Sequence, residues 1–165
     1  MPATLHWEDL QAGSVRELGT TSVTADEIKE FAGKYDPQPF HLDEDAARSS
    51  LFGSLCASGW HTCALAMRLT VDNMLRHSTS LGSPGLESLK WLKPVYPGDM
   101  LSLRHTILES RGLRKRPDTG LVRSRWEMFN QKGEQVLEME GYGFFRRREP
   151  ATEEELARMD AQRAA

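Results

Sequence analysis

Hydrophobic patterning divides the chain into a helical first half and a stranded second half. Residues 13–23, GSVRELGTTSV, alternate loosely between apolar and polar and predict a first strand. Thr24 and Glu27 then form a capping box, and Ile28, Phe31 and Ala32 fall on one face at helical spacing until Gly33 and the Asp36-Pro37 pair end the helix. Asp43 is placed to cap a short second helix over EDAARSS, and residues 51–57 connect onward. The longest helix starts at Ser58 or Gly59 and reads GWHTCALAMRLTVDNMLRH. Its apolar stripe is Ala64, Met67, Val71, Met74 and Leu75, widened by Cys63, Leu65, Ala66 and Leu69. Arg68 is the one charge before Asp72, so the first three turns are expected to be buried nearly all round, with something wrapped about them.

Residues 76–85, RHSTSLGSPG, predict a flexible turn region, and strands follow it at 86–96, 101–108, 121–130 and 135–146. The turns between them are Pro97-Gly98-Asp99, a longer loop over residues 111–120, and Gln131-Lys132-Gly133. Short turns make consecutive strands antiparallel neighbours. A last polar helix over 152–163 takes Thr152 as its cap and Glu153 to Glu155 in its first turn. The pattern describes an α+β architecture, an antiparallel sheet curved around one long helix. A single domain over 1–165 is expected, with residues from about 150 onward as a helical extension. Open sheet edges are commonly closed by a second copy, so the expected assembly is a homodimer.

Composition narrows the classes. At 165 residues, 39% hydrophobic and 27% charged, the chain has the make-up of a globular domain with a real core. A net charge of -3 gives no pull toward nucleic acid or an anionic membrane surface. Cys56 and Cys63 do not form a CxxC pair, and reduced, buried thiols are expected. MPATLHWEDL lacks a basic start followed by an apolar run, and nothing approaches a bilayer span, so the expectation is a soluble cytoplasmic protein. His41, Cys56, His61 and Cys63 match no familiar ligand spacing, and neither a metal nor a cofactor is expected.

Candidate chemistry concentrates between Asp36 and His61. The residue before a proline is pushed into extended geometry, and this holds for Asp36 before Pro37 and Gln38 before Pro39. Asp36 and His41 thus sit at the two ends of a stiff, extended loop. Each has a plain structural reading beside a chemical one: Asp36 as a helix stop, His41 as a satisfied core histidine, and Gly59 as a packing glycine.

Asp36-Pro-Gln-Pro-Phe-His41, the acidic short helix after it, the Cys56-Ala-Ser-Gly-Trp60 entry to the long helix and the later WLKPVYPGD turn resemble the MaoC-like group of hot-dog-fold proteins. That group includes (R)-specific enoyl-CoA hydratases. The family pattern is usually Asp-x-Asn-Pro-x-His with a His-Gly helix entry, where this chain has Gln38 and Ser58-Gly59. The resemblance implies addition of water to, or its removal across, the double bond of a 2-enoyl thioester, with a CoA ester as substrate. Asp36 and His41 would activate water, and the Gly59 amide at the helix start would stabilise the thioester oxygen. Gln38, Phe40, Ser58 and Trp60 are the expected substrate-binding residues. A basic segment, Arg111, Arg114, Lys115 and Arg116, reads as a solvated hairpin tip or as a seat for CoA phosphates. Two alternatives stay open: a hot-dog thioesterase, opposed by the first helical acid being as late as Asp72, and a non-catalytic acyl-thioester-binding protein.

Overall fold

The structure is a computed structural model that describes residues 4–165. Its strands are β1 (Val15–Ser22), β2 (Ser80–Gly82), β3 (Leu86–Trp91), β4 (Met100–Leu113), β5 (Arg116–Phe129) and β6 (Gln135–Arg146). They form one antiparallel sheet in the order β1-β4-β5-β6, with the outer edge of β6 shared by β2 and β3. The helices are α1 (Ala25–Tyr35), α2 (Pro39–Leu42), α3 (Glu44–Arg48), α4 (Gly59–Asn73) and α5 (Glu153–Ala164). The core lies between α4 and one face of the sheet. Leu101, Leu103, His105 and Ile107 alternate inward from β4, joined by Val122, Ser124 and Met128 from β5 and by Leu137, Met139 and Phe145 from β6. Ala66, Leu69 and Met74 meet them from the helix side.

Local signals placed most helix ends. The Thr24–Glu27 and Thr152–Glu155 capping boxes both form, and the Asp43 carboxylate accepts from the Ala46 amide 2.8 Å away. Other expectations need correcting. Ser80–Gly82, inside the expected flexible turn, pairs with the end of β6 as a short strand. Residues 92–96, expected to continue a strand, leave the sheet, and the Val95 carbonyl instead accepts from the Ala57 amide at 2.8 Å.

Residues 111–120, expected as a loop, are mostly paired strand. β4 and β5 run on to a two-residue turn at Arg114-Lys115, with register shifts after Ile107 and Gly112. The glycines there serve packing rather than turning. Gly120 lies under the Trp7 indole, where a Cβ would come within 2.1 Å of the ring, and Gly112 lies under Met159 of α5. The Arg147 guanidinium closes this end, stacked 4.8 Å over Trp7 and 3.1 Å from Glu155.

The long helix buries part of its expected apolar face, Ala66, Leu69 and Met74, together with polar residues outside it. His61, Thr62, Ala66, Leu69 and Thr70 are buried, while Ala64 is exposed and Trp60 and Met67 stay 56% and 54% exposed. The sheet covers one side of α4 and leaves an apolar side uncovered, so the helix is not wrapped all round by its own chain. No helix among the described residues is long and apolar enough to cross a membrane.

Gly120→Ala is expected to destabilise the fold by about 1 to 3 kcal/mol, because the added methyl displaces Trp7. A lower melting temperature with altered near-ultraviolet dichroism would show it, and an unchanged melt would refute the packing role.

Candidate active site

Asp36 ends α1 as its C-cap, its amide bonded to the Ala32 carbonyl at 2.9 Å. Pro37 keeps Asp36 out of the helical region, at φ -153° and ψ 66°, and Pro39 keeps Gln38 extended. Pro39 itself opens a helical turn, since the first helical position needs no amide donor and favours the fixed φ of proline. The expected stiff loop is therefore extended only as far as Gln38, and Phe40 and His41 ride on α2. This turn swings the His41 side chain back toward Asp36.

His41 is buried, with its ring set against Phe40 at 4.5 Å and Phe52 at 6.4 Å. Its Nδ1 lies 2.7 Å from the Cys56 carbonyl oxygen. A carbonyl only accepts, so Nδ1 carries the hydrogen and the neutral ring presents a lone pair at Nε2. That nitrogen lies 3.5 Å from Asp36 Oδ2. Two acceptors so close and unbonded to each other converge on the hydrogens of a small donor such as water.

The Asp36 carboxylate is itself held at both oxygens. Gln38 Nε2 donates to Oδ1 at 2.7 Å, and Ser58 Oγ donates to Oδ2 at 2.7 Å. Burial works to raise its pKa, but the hydrogen bonds from Ser58 and Gln38 and the neighbouring His41 outweigh burial and hold it below the ordinary carboxyl value. Ser58 also caps α4, its Oγ accepting from the Trp60 amide at 3.3 Å. One hydroxyl thus joins the carboxylate to the helix start.

Gly59 is the first residue of α4, where the amide has no acceptor within the helix and lies at the positive end of the helix dipole. Glycine here matches the plain reading of it as a packing residue. Its missing side chain leaves room for the Trp91 indole, whose Cε2 would lie 2.4 Å from an added Cβ and whose Nε1 donates to the Gly59 carbonyl at 2.9 Å. Trp60 meets Trp91 edge-on at 5.0 Å.

Asp36, Gln38, Phe40, His41, Gly59 and Trp60 all line one cavity of about 490 Å³, completed by Phe52, Trp91, Lys93 and Val95 among others. Ser58 is fully buried and does not line it, so its hydroxyl acts on Asp36. Sequence reasoning missed three contributors: the Cys56 carbonyl, a backbone atom with no sequence signature; Trp91, which reaches Gly59 across 32 positions; and Phe52 behind His41. The WLKPVYPGD segment and the Cys56–Trp60 helix entry carried Trp91 and Cys56, and nothing in the sequence pointed to Phe52.

Of the remaining candidates only Cys56 borders the cavity. His61 stacks on Phe31 of α1 at 4.6 Å, nearly parallel, and burial pushes its pKa down. Burial pushes the Cys56 thiol up to about 11 and raises that of Cys63 as well, which leaves both as poor nucleophiles at neutral pH. The basic turn lies at the far end of the sheet. Thr119 pairs with Arg146, whereas Trp91 pairs with Leu137. That separation is about 30 Å along β6 at ~3.3 Å per residue, so the tip does not border its own chain's cavity.

An antiparallel sheet wrapped on one long helix, with the candidate site at the start of that helix, makes this a hot-dog fold. A family model described as the MaoC-like domain matches residues 10–124, and the chain belongs to that family. Its structure is similar to that of a MaoC-like dehydratase from Rhodospirillum rubrum, with 42% identity and a TM-score of 0.81 over 88% of this chain and 99% of that one. It also resembles an (R)-hydratase of Pseudomonas aeruginosa in unliganded form, with 26% identity and a TM-score of 0.69 over 90% and 88% of the two chains. The uncharacterised protein YdeM of Bacillus subtilis is 29% identical over 133 residues, 81% of this chain and 93% of that protein.

The hold on Asp36 has a pH signature. A carboxyl with a lowered folded-state pKa contributes stability in full above its unfolded value, and loses it as pH falls through the folded one. Ser58→Ala removes one of the two donors, so the Asp36 pKa should rise toward the ordinary value and its share of stability at neutral pH should shrink. Titration of the Asp36 side-chain carbon by NMR reads this directly; an unmoved midpoint would contradict the hold.

Proposed function

We propose that this protein adds water to the double bond of a 2-enoyl thioester, or removes it in the reverse direction, with a CoA ester as the substrate. The observation that carries the reading is the pairing of two acceptors, His41 Nε2 and Asp36 Oδ2, on a cavity that Gly59, the first residue of α4, also lines. Water held by both has its oxygen aimed at the β carbon of a bound enoyl group. As that oxygen bonds to carbon, its proton passes to His41 Nε2, and the double-bond electrons move through the α carbon to the thioester oxygen. The Gly59 amide receives the charge that develops there; a preorganised donor of this kind is typically worth about 3 kcal/mol in the transition state. The enolate then collapses as the α carbon takes the proton from the acid–base pair. Membership in the MaoC-like family and likeness to a dehydratase and an (R)-hydratase support this reading.

Hydrolysis of the thioester fits less well. Asp72, the first acid on α4, is bound by Arg68 and Arg76 at 2.6 Å each and does not border the cavity.

The working form in this proposal is a homodimer. Trp60 and Met67 on α4 and Leu86, Trp91 and Leu92 on or beside β3 are all about half exposed. They adjoin the edge of β3 that no strand pairs with among the described residues. A second copy brings the same edge and the same apolar face, so two-fold pairing covers both at once. Light scattering at micromolar concentration should give the mass of two chains; a single-chain mass would contradict the dimer.

Hydration of crotonyl-CoA, followed as loss of the enoyl absorbance, tests the activity. Asp36→Asn and His41→Ala should each lower kcat/KM by about 100-fold or more while melting near the parent temperature. Release of free thiol instead would favour the thioesterase, and silence over a panel of enoyl thioesters would favour a binding protein.

A further inference from the structure

Between the later turns of α4 and the sheet lies a second cavity, of about 230 Å³, that the chemistry above does not use. Met67, Met74, Leu86, Trp126 and Phe145 make most of its wall apolar. Room for it comes from small residues in the sheet beneath, where Ser124 pairs with Gly141 and Gly143 follows two positions on. The floor is polar. His105 occupies the position in β4 between the aliphatic Leu103 and Ile107, is 1% exposed, and has its Nδ1 buried with no hydrogen-bond partner. Ser124, also buried, borders the same space.

A buried polar group without a partner is costly, and a histidine in a row of aliphatic residues is a poor choice for packing alone. Burial, together with the charge of Arg16, pushes the His105 pKa down to about 4, so at neutral pH the ring is uncharged and offers one donor and one acceptor. No Lys or Arg lines the cavity, so an anion entering it would be desolvated without a counter-charge. The complement of this floor is an uncharged hydrogen-bonding group on an apolar stem.

The cavity lies in line with the first one. Met67 and Thr70 follow Gly59 by two to three turns, about 12 to 16 Å along the helix at ~1.5 Å per residue. The apolar side chains of Trp60, Met67, Leu86 and Trp91 flank the way between the two. An extended chain of about ten carbons, advancing ~1.3 Å per C–C bond of ~1.5 Å, spans that length.

We propose that this cavity receives the far end of the acyl chain, and that His105 and Ser124 select chains bearing a hydroxyl or carbonyl about ten carbons from the thioester. The inference rests on the acyl-thioester reading but can fail separately from it. Calorimetric titration of the full chain with decanoyl-CoA and 10-hydroxydecanoyl-CoA tests it. The hydroxyl ligand should bind about fivefold to tenfold more tightly, the worth of one neutral hydrogen bond, since the plain chain leaves the floor unpaired. That ratio should fall to near one in His105→Leu and in Ser124→Ala. Should His105→Leu fail to fold, Ser124→Ala carries the test alone, because it removes a single hydroxyl. Equal binding by the parent, tighter binding of the plain chain, binding of neither, or a ratio unchanged in folded Ser124→Ala would overturn the proposal. Crotonyl-CoA turnover in the same preparation without any hydroxyl preference ends this inference and leaves the proposed function standing. A hydroxyl preference without turnover does the reverse.

Discussion

The hydrogen bond from Ser58 Oγ to Asp36 Oδ2 ties the end of α1 to the start of α4 across 22 positions of chain. Asp36 could not face a cavity from the C-terminus of α1 unless something drew its carboxylate toward α4, and Ser58, as the N-cap of that helix, sits where it can. The same contact sets the chemistry. A carboxylate that accepts from both Ser58 and Gln38 stays ionised and fixed in direction, so it acts as an acceptor beside His41 rather than as a free acid. The two places where this chain departs from the usual family pattern, Gln38 and Ser58, thus act on one carboxylate, and they reach opposite oxygens of it.

His41 is fixed in the complementary way. The Cys56 carbonyl holds the proton on Nδ1 and turns the basic nitrogen toward Asp36, while Phe40 and Phe52 limit how far the ring can tilt. The segment supplying that carbonyl is held by the Ala57–Val95 hydrogen bond. The end of β3 and the residues leaving it therefore do two things at the cavity: they anchor the backbone behind His41 and set Trp91 against Gly59. Orientation in this site comes from backbone carbonyls, caps and rings around Asp36 and His41, the kind of support the proposed acid–base role requires.

How much of this the sequence made legible follows from the range of each interaction. Capping boxes at Thr24 and Thr152 and the Asp43 cap involve residues three apart, and they form as read. The run Asp36 to His41 and the helix entry at Gly59 carried the site, because prolines, a cap and a helix start are local features. Long-range contacts were hidden. Gly112 and Gly120 read as loop because glycine usually punctuates, yet they are flat places in two strands where Trp7 and Met159 lie down. Pro39 read as continuing an extended loop, although proline suits the first helical position equally well. On α4, Ala64 and Met67 of the expected stripe lie on the side its own chain leaves open, while Thr62 and Thr70 go inward with their hydroxyls near the carbonyls four residues back, Thr70 at 2.8 Å. Hydrophobic pattern marks an apolar face, not what lies against it.

The proposed chemistry turns on where one water and one thioester oxygen bind. A crystal structure of Asp36→Asn with crotonyl-CoA bound tests this most directly. The thioester oxygen is expected within about 3 Å of the Gly59 amide, and a water at similar distance from His41 Nε2 and from residue 36, facing the β carbon. An acyl group bound away from the start of α4, or a thioester oxygen held by other donors, would contradict the proposed chemistry.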